Sequence, residues 1–323
     1  MSDLKDIAVL VPGRLHDHAV TRVGETFRML RIESADPALL TAGMADEIRG
    51  VALMATMDAA FIDALPKLEI IASFGVGYDH VDAKYAAGKG VVVTNTPDVL
   101  TEEVADTAVG LLINAVRELP RAEKWLREGR WVRDGGYPLS KATLRGRRVG
   151  IFGLGRIGLA IARRLEAFGL PIAYHNRSPA EGVSYAYHPT LLGLAEAVDT
   201  LISVAPGGAS TAKAVNAEVL RALGPDGVFV NLGRGSTVDE EALIKALSDG
   251  TIRAAGLDVF ADEPRVPQAL IDLPNASLLP HVGSASVHTR QAMADLVVDN
   301  LVAWFSEGRP LTPVPESAGL KKP

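Results

Sequence analysis

One run of residues, Val149-Gly150-Ile151-Phe152-Gly153-Leu154-Gly155-Arg156-Ile157-Gly158, restricts the fold more than any other part of the chain. It reads as a buried strand, then glycines spaced G-x-G-x-x-G, then an amphipathic helix with Ile157, Ile161, Leu165 and Phe168 on one face. Gly153 permits a tight turn. Gly155 has no Cβ, so the backbone can approach a pyrophosphate, and Gly158 lets the helix pack close to the strand. The helix N-terminus offers free amides and the positive end of a dipole to phosphates. The glycines alone would also suit a tight turn without a ligand. The flanking strand and helix favour dinucleotide binding.

Short apolar runs recur on both sides of this motif. Ile7–Val11, Val51–Met54, Ile70–Phe74 and Val91–Val93 precede it, and Ile172–His175, Thr200–Val204, Val228–Leu232, Ala255–Val259 and Ser277–Leu279 follow. Separated by helical stretches, they predict α/β architecture with parallel sheets covered on both faces. With Val149–Phe152, the later runs make six strands, the count of a Rossmann-type dinucleotide domain. Thr101 caps a helix whose apolar positions run from Val104 to Leu119, with Pro120 as its stop. Residues 121–146 read as a polar, Gly-rich connection, in which Trp125, Trp131 and Tyr137 pack under a loop rather than against a substrate. The four prolines from Arg309 onward predict a loosely ordered tail.

Composition narrows the function classes. A chain of 323 residues implies about two domains. A net charge of −6 argues against nucleic acid or an anionic membrane as partner. The absence of cysteine excludes disulfides, thiolate metal sites and a cysteine nucleophile. His16 and His18 flank Asp17 without a third ligand nearby, so no metal is expected. With neither a signal peptide nor an apolar run of membrane length, a cytoplasmic protein is the expectation.

Coenzyme choice is read after the second strand of the domain. NAD enzymes place Asp or Glu about 20 residues beyond the glycines, to bind the ribose 2′-hydroxyl. Here Asn176 stands 18 residues after Gly158 and leads into Arg177 and Ser178. These offer hydrogen-bond donors and one positive charge, which suits a 2′-phosphate. The expectation is NADP(H), with NAD(H) as the weaker alternative. Otherwise Arg177 stacks over adenine or points to solvent.

Three further segments end predicted strands, where ligands sit in open α/β sheets. They are Asn231-Leu232-Gly233-Arg234-Gly235, Leu257-Asp258-Val259-Phe260 with Glu263-Pro264, and Pro280-His281-Val282-Gly283-Ser284. Together they supply a cation, a carboxylate and an imidazole. That set fits ketone reduction: Arg234 polarises the oxygen and grips a carboxylate, His281 delivers a proton, and Glu263 orients the imidazole and stabilises its protonated form. From spacing alone, each could equally belong to a structural ion pair.

In the order and spacing of these motifs, with Gly75-Val76-Gly77-Tyr78-Asp79, Asn95-Thr96-Pro97 and Thr101-Glu102-Glu103-Val104-Ala105-Asp106, the chain resembles the D-2-hydroxyacid dehydrogenases over nearly its whole length. Within that family it is most similar to NADPH-dependent glyoxylate/hydroxypyruvate and hydroxyphenylpyruvate reductases. The resemblance implies Arg234, Glu263 and His281 as the catalytic set. It implies Val76 and Gly77 as backbone amides for a substrate carboxylate; Leu100, Tyr78 and the aromatics of residues 125–137 are candidates to read the substrate's side group. Arg156 and Ile157 would flank the pyrophosphate, and Asp258 would meet the nicotinamide amide. The coenzyme set also takes in Ala205, Pro206, Thr211, Leu232, His281 and Gly283. The glycines of Ala205-Pro206-Gly207-Gly208-Ala209-Ser210-Thr211 depart from the family's usual Pro-Leu-Thr and would loosen the adenine side.

The resemblance also implies a discontinuous, flavodoxin-like substrate domain of residues 1–98 and 288–323 around a coenzyme domain of residues 99–287. Substrate would bind in a cleft between them, and the coenzyme domain would form a homodimer. Three other functions stand beside 2-keto acid reduction. Formate or phosphite oxidation is disfavoured because formate dehydrogenases carry glutamine where Glu263 stands. Phosphoglycerate dehydrogenase usually has an extra regulatory domain. A dinucleotide-sensing role like that of the C-terminal-binding corepressors would favour NAD, against Asn176-Arg177.

Overall fold

The structure, a computed structural model, describes residues 3–321. The chain forms two compact units: one of residues up to Leu100 together with those from Ser286 onward, the other Thr101–Ala285.

The first unit is built on a parallel sheet of β1 (Ala8–Pro12), β2 (Arg28–Ile32), β3 (Ile48–Leu53), β4 (Ile70–Ser73) and β5 (Val92–Thr94), in the order β2-β1-β3-β4-β5. The central strands are mostly apolar because helices cover both faces. β1 and β4 are buried at every position. On one side Leu10, Val51, Leu53, Phe61, Ile71 and Val93 join in a core. On the other, the helix Val287–Glu307 closes on β3. A Cβ on Gly50 would lie 3.2 Å from Phe305 and 3.3 Å from Leu301, so glycine allows that approach.

Two features of this unit escape a reading for apolar runs. β2 is an edge strand with Arg28 and Arg31 exposed, and those charges hide it among polar segments. The C-terminal tail is not the loose extension its prolines suggest. Val314 is buried, its N–H donates to Val93 O (3.0 Å), and Ser317 Oγ accepts from Val93 N–H (3.0 Å). Proline suits this strap because it covers a sheet edge, where a missing N–H costs little. The histidines near β1 are also engaged: His16 stacks on Phe74 (centroids 5.9 Å apart), and His18 bonds Asp295 (2.8 Å).

The second unit holds β6 (Val149–Phe152), β7 (Ile172–His175), β8 (Ala186–Tyr187), β9 (Thr200–Ser203), β10 (Val228–Asn231), β11 (Ala254–Leu257) and β12 (Ala276–Leu278). All are parallel, in the order β12-β11-β10-β9-β6-β7-β8. The sheet has seven strands rather than six, because the two-residue β8 pairs with Ala173 and Tyr174 of β7. Strand order reverses beside β6, so the carboxyl ends of β6 and β9 define the switch point where ligands of such sheets bind.

The helix Thr101–Arg117 lies against β10 and β11. A Cβ on Gly256 would approach Leu111 Cγ to 2.7 Å, which explains a glycine inside a central strand. The helix does not run on to Leu119. Glu118 adopts a left-handed backbone (φ 57°), and a new helix, Leu119–Arg127, begins with Pro120 in its first turn, where proline is tolerated. A further helix, Arg130–Asp134, follows. The first half of the expected connecting loop is therefore helical, and residues 135–146 stay irregular. Trp125 packs edge-on against Tyr137 (5.6 Å) and under the Arg130 guanidinium (3.5 Å), while Trp131 is 63 % exposed.

Among the described residues no helix is long and apolar enough to cross a membrane.

Candidate active site

The phosphate loop leaves β6 at Gly153, whose φ of 99° strongly favours glycine. A Cβ on Gly153 would lie 2.8 Å from Ala205 N, and one on Gly158 would lie 2.4 Å from Gly153 O. Those two glycines are demanded by protein packing. Gly155 differs, since a Cβ there would meet nothing within 4 Å. Its missing side chain leaves a cradle in front of the helix Arg156–Ala167, the feature a pyrophosphate site requires. Arg156 is exposed and Ile157 half-buried at the start of that helix.

Asn176 ties the end of β7 to this loop. Leu154 N–H donates to Asn176 Oδ1 (2.7 Å), and Asn176 Nδ2 donates to Leu154 O (3.3 Å). A carboxylate could accept the first bond but could not donate the second. The Asn176 side chain is therefore engaged within the protein, while Arg177 and Ser178 are exposed. Among the described residues Arg177 has no carboxylate partner, so its charge is available to an anion. These features fit an NADP-type coenzyme. Ala205 is buried beneath Gly153, and Pro206 is exposed. Thr211 closes the glycine-containing loop by donating its hydroxyl to Pro206 O (2.7 Å), which restrains a segment its glycines would loosen.

Arg234 follows β10 and is half-buried. Asn231 shapes its turn: Asn231 Oδ1 accepts from Gly233 N–H (3.0 Å), and Asn231 Nδ2 donates to Arg234 O (3.1 Å). The turn presses on the next one. A Cβ on Gly235 would fall 1.9 Å from Phe260 C and O, so only glycine fits. Phe260 N–H donates to Glu263 Oε1 (3.0 Å), and Glu263 Oε2 is 2.7 Å from His281 Nδ1. One continuous set of contacts thus links the arginine turn, the glutamate and the histidine. Burial pushes the Glu263 carboxyl up, but hydrogen bonds from His281 and Phe260 and the charges of His281 and Arg234 outweigh it. Its pKa lies below the ordinary glutamate value.

His281 sits in the left-handed region (φ 53°), an arrangement that costs about 1 kcal/mol or more for a residue with a Cβ. Asp258, only 2 % exposed, holds that geometry. Val282 N–H donates to Asp258 Oδ1 (2.7 Å) and Gly283 N–H to Oδ2 (2.8 Å), while His281 N–H donates to Asp258 O (2.9 Å). A Cβ on Gly283 would lie 2.8 Å from Oδ2, which accounts for that glycine. Burial raises the Asp258 pKa, opposed by these two backbone N–H groups and the His281 charge. Sequence reasoning treated Asp258 as a coenzyme contact. Its clamp on the histidine loop shows only in the fold, because both oxygens face residues 24 and 25 positions away. Leu232 is buried, its Cδ2 3.5 Å from where a Cβ on Gly283 would stand.

Beside the Glu263–His281 pair lies a largely apolar cavity of about 330 Å³, lined by Phe260, Val266, Ile271, Leu278, Leu279 and Pro280 among others.

Val76, Gly77 and Leu100 belong to the first unit. Val76 and Gly77 follow β4, and Leu100 is buried. Gly75 has a φ of 140°, open to glycine. Among the described residues the N–H groups of Val76 and Gly77 have no acceptor, whereas Gly75 N–H donates to Thr96 Oγ1 (3.0 Å).

Comparison with known proteins agrees with this geometry. Residues 109–283 match the model of the D-isomer specific 2-hydroxyacid dehydrogenase NAD-binding domain. A glyoxylate/hydroxypyruvate reductase A of Arabidopsis thaliana is 45% identical over 96% of this chain and 100% of its own length. A hydroxyphenylpyruvate reductase of Plectranthus scutellarioides is 52% identical over 80% of this chain and 82% of its own. The crystal structure of an NADPH-dependent glyoxylate/hydroxypyruvate reductase of Sinorhizobium meliloti, in complex with NADP and malonate, superposes with a TM-score of 0.96. It is 63% identical and covers 98% of this chain and 99% of that one. The chain belongs to the D-isomer specific 2-hydroxyacid dehydrogenase family.

Proposed function

We propose that this protein is an NADPH-dependent reductase of small 2-keto acids, such as glyoxylate, hydroxypyruvate and aryl-pyruvates, forming D-2-hydroxy acids. The observation that carries the reading is the 2.7 Å pair of His281 and Glu263 on the turns beside Arg234, at the carboxyl ends of a sheet that also bears the phosphate loop.

NADPH, held at the phosphate loop, would provide the hydride chemistry for the carbonyl carbon. Arg234 faces the negative charge that develops on the carbonyl oxygen and stabilises it. His281 gives the proton from Nε2, since Nδ1 is held by Glu263. The carboxylate keeps the imidazole in one tautomer, while Asp258 keeps the ring where the turn places it. Gly153, Gly155 and Gly158 with Arg156 and Ile157 would hold the pyrophosphate, and Arg177 with Ser178 would hold the 2′-phosphate. In the first unit the Val76 and Gly77 amides take the keto acid's carboxylate, and Leu100 faces its side group. That unit therefore serves the keto acid's carboxylate and side group, and the second unit the coenzyme and the carbonyl.

Two copies pair through the second unit in this reading. Leu126, Trp131, Val132 and Leu139 are 55, 63, 97 and 94 % exposed on one short segment, an apolar surface that a partner would cover. The cytoplasm, where reduced coenzyme is plentiful, is the proposed location.

The test is a panel of 2-keto acids with NADPH and NADH. Rapid NADPH oxidation with glyoxylate or hydroxypyruvate, and a higher kcat/KM for NADPH than for NADH, is the expected result. A preference for NADH overturns the coenzyme assignment, and coenzyme binding without turnover overturns the enzymatic one.

A further inference from the structure

The tail that straps the first unit is bonded, step by step, to the loop bearing Val76 and Gly77. Asn300, fully buried on the helix Val287–Glu307, starts the series. Its Oδ1 accepts from Leu311 N–H (3.0 Å) and Thr312 N–H (2.9 Å), and its Nδ2 donates to Thr312 Oγ1 (2.9 Å). Thr312 Oγ1 donates to Asn95 O (2.6 Å), and Asn95 N–H donates to Thr312 O (3.3 Å). Asn95 Nδ2 then donates to Val76 O (2.7 Å). Next to it, Thr96 N–H donates to Gly75 O (2.9 Å). A second link joins the same loop to the tail, from Tyr78 OH to Glu316 Oε2 (3.1 Å).

Peptide planarity gives these bonds a consequence. The carbonyl of one residue and the N–H of the next share a rigid plane and, in the trans form, point in opposite directions. Holding Gly75 O from behind therefore aims the Val76 N–H, and holding Val76 O aims the Gly77 N–H. Both free donors are set by groups on the far side of the loop. The Thr96 contact is backbone, but the Asn95 contact is a side chain whose own backbone is held by Thr312.

We propose that Asn95 is a positioning residue for 2-keto acid binding, and that the tail, through Asn300 and Thr312, keeps it in place. The inference rests on the carboxylate role proposed above for Val76 and Gly77. The tail is on this account part of the substrate apparatus, though none of its residues touches substrate.

The test compares Asn95→Ala, Thr312→Val and Thr312→Ser with the unaltered enzyme. Steady-state kinetics with glyoxylate and NADPH are read beside hydrogen exchange of the Val76, Gly77 and Tyr78 amides. Asn95→Ala is expected to raise KM for glyoxylate about fivefold, the weight of one hydrogen bond, with kcat and KM for NADPH within about twofold. Thr312→Val is expected to act in the same direction less strongly, and Thr312→Ser to restore the original KM. Exchange at the loop should quicken in step. Unchanged exchange and unchanged KM in Asn95→Ala overturn the relay. Faster exchange with unchanged KM instead overturns the carboxylate role of Val76 and Gly77. Equal losses in kcat and in both KM values, not relieved by Thr312→Ser, mark general damage and overturn the positioning role. If no 2-keto acid is reduced by the unaltered enzyme, the functional reading fails, and the exchange data alone decide whether Asn95 holds the loop.

Discussion

The two sheets of this protein end differently. Beyond β4 in the first unit the chain presents bare backbone N–H groups on Val76 and Gly77. Beyond β10, β11 and β12 in the second it presents charged side chains, Arg234, Glu263 and His281, braced by Asn231 and Asp258. Both use the carboxyl ends of parallel strands, where short loops can gather residues distant in sequence. A backbone donor tolerates any side chain that keeps the loop's shape. A side-chain donor is lost with one substitution.

That contrast predicts unequal sensitivity. Arg234→Ala should lower kcat/KM for glyoxylate reduction about a thousandfold, the scale of removing a preorganised charge from a developing oxyanion. Val76→Ala should change it less than about threefold, because the amide remains while the side chain changes. Steady-state kinetics on the pair decides the matter, and equal effects would break the comparison.

Asp258→Asn comes next. Asparagine can accept only one of the two N–H groups that Asp258 now binds and turns a donor toward the other. A loss of about tenfold to a hundredfold in kcat is expected, with coenzyme affinity little changed, as an imidazole drifts from its place. Equilibrium coenzyme binding alongside kcat separates this clamp from a direct coenzyme contact, which would weaken binding instead.

Arg177→Ala should reduce NADPH affinity by about tenfold to a hundredfold and leave NADH affinity unaltered, since only the former carries the extra phosphate. Loss of both in parallel would place Arg177 over the adenine.

The smallest effect concerns pH and stability. The Glu263 pKa is held below its ordinary 4.5, so its pairing contributes stability above that pH, lost as the pH falls through the folded-state value. The difference in Tm between the unaltered protein and Glu263→Gln should therefore be largest near neutrality and shrink in acid. A difference independent of pH would mean that the carboxylate charge is not what holds the turn.

The second unit was more legible in the sequence than the first, for physical reasons. A strand followed by Gly153, Gly155 and Gly158 admits few structures, and an arginine between Gly233 and Gly235 after a buried strand has few places to go. β2 hides because an edge strand tolerates charged residues, here Arg28 and Arg31 on opposite faces. The tail escapes a compositional reading because its prolines, a disorder signal in composition, here suit a strap along a sheet edge. The break at Glu118 was missed because Pro120 reads as a helix stop and here opens the next helix. Asn176 and Asp258 stand in ligand-binding positions by sequence, and the fold also bonds them to Leu154, Val282 and Gly283. Such pairings join loops that local pattern treats separately.

The most direct measurement is kcat/KM for glyoxylate reduction by NADPH from about pH 5 to about pH 10, in the unaltered enzyme and in His281→Gln. A protonated imidazole as proton donor predicts that the rate of the unaltered enzyme falls on the alkaline side with the loss of one proton. The variant should be slow and flat through the same range. A profile that stays level or rises with pH, or a variant that keeps the alkaline fall, would contradict His281 as the donor.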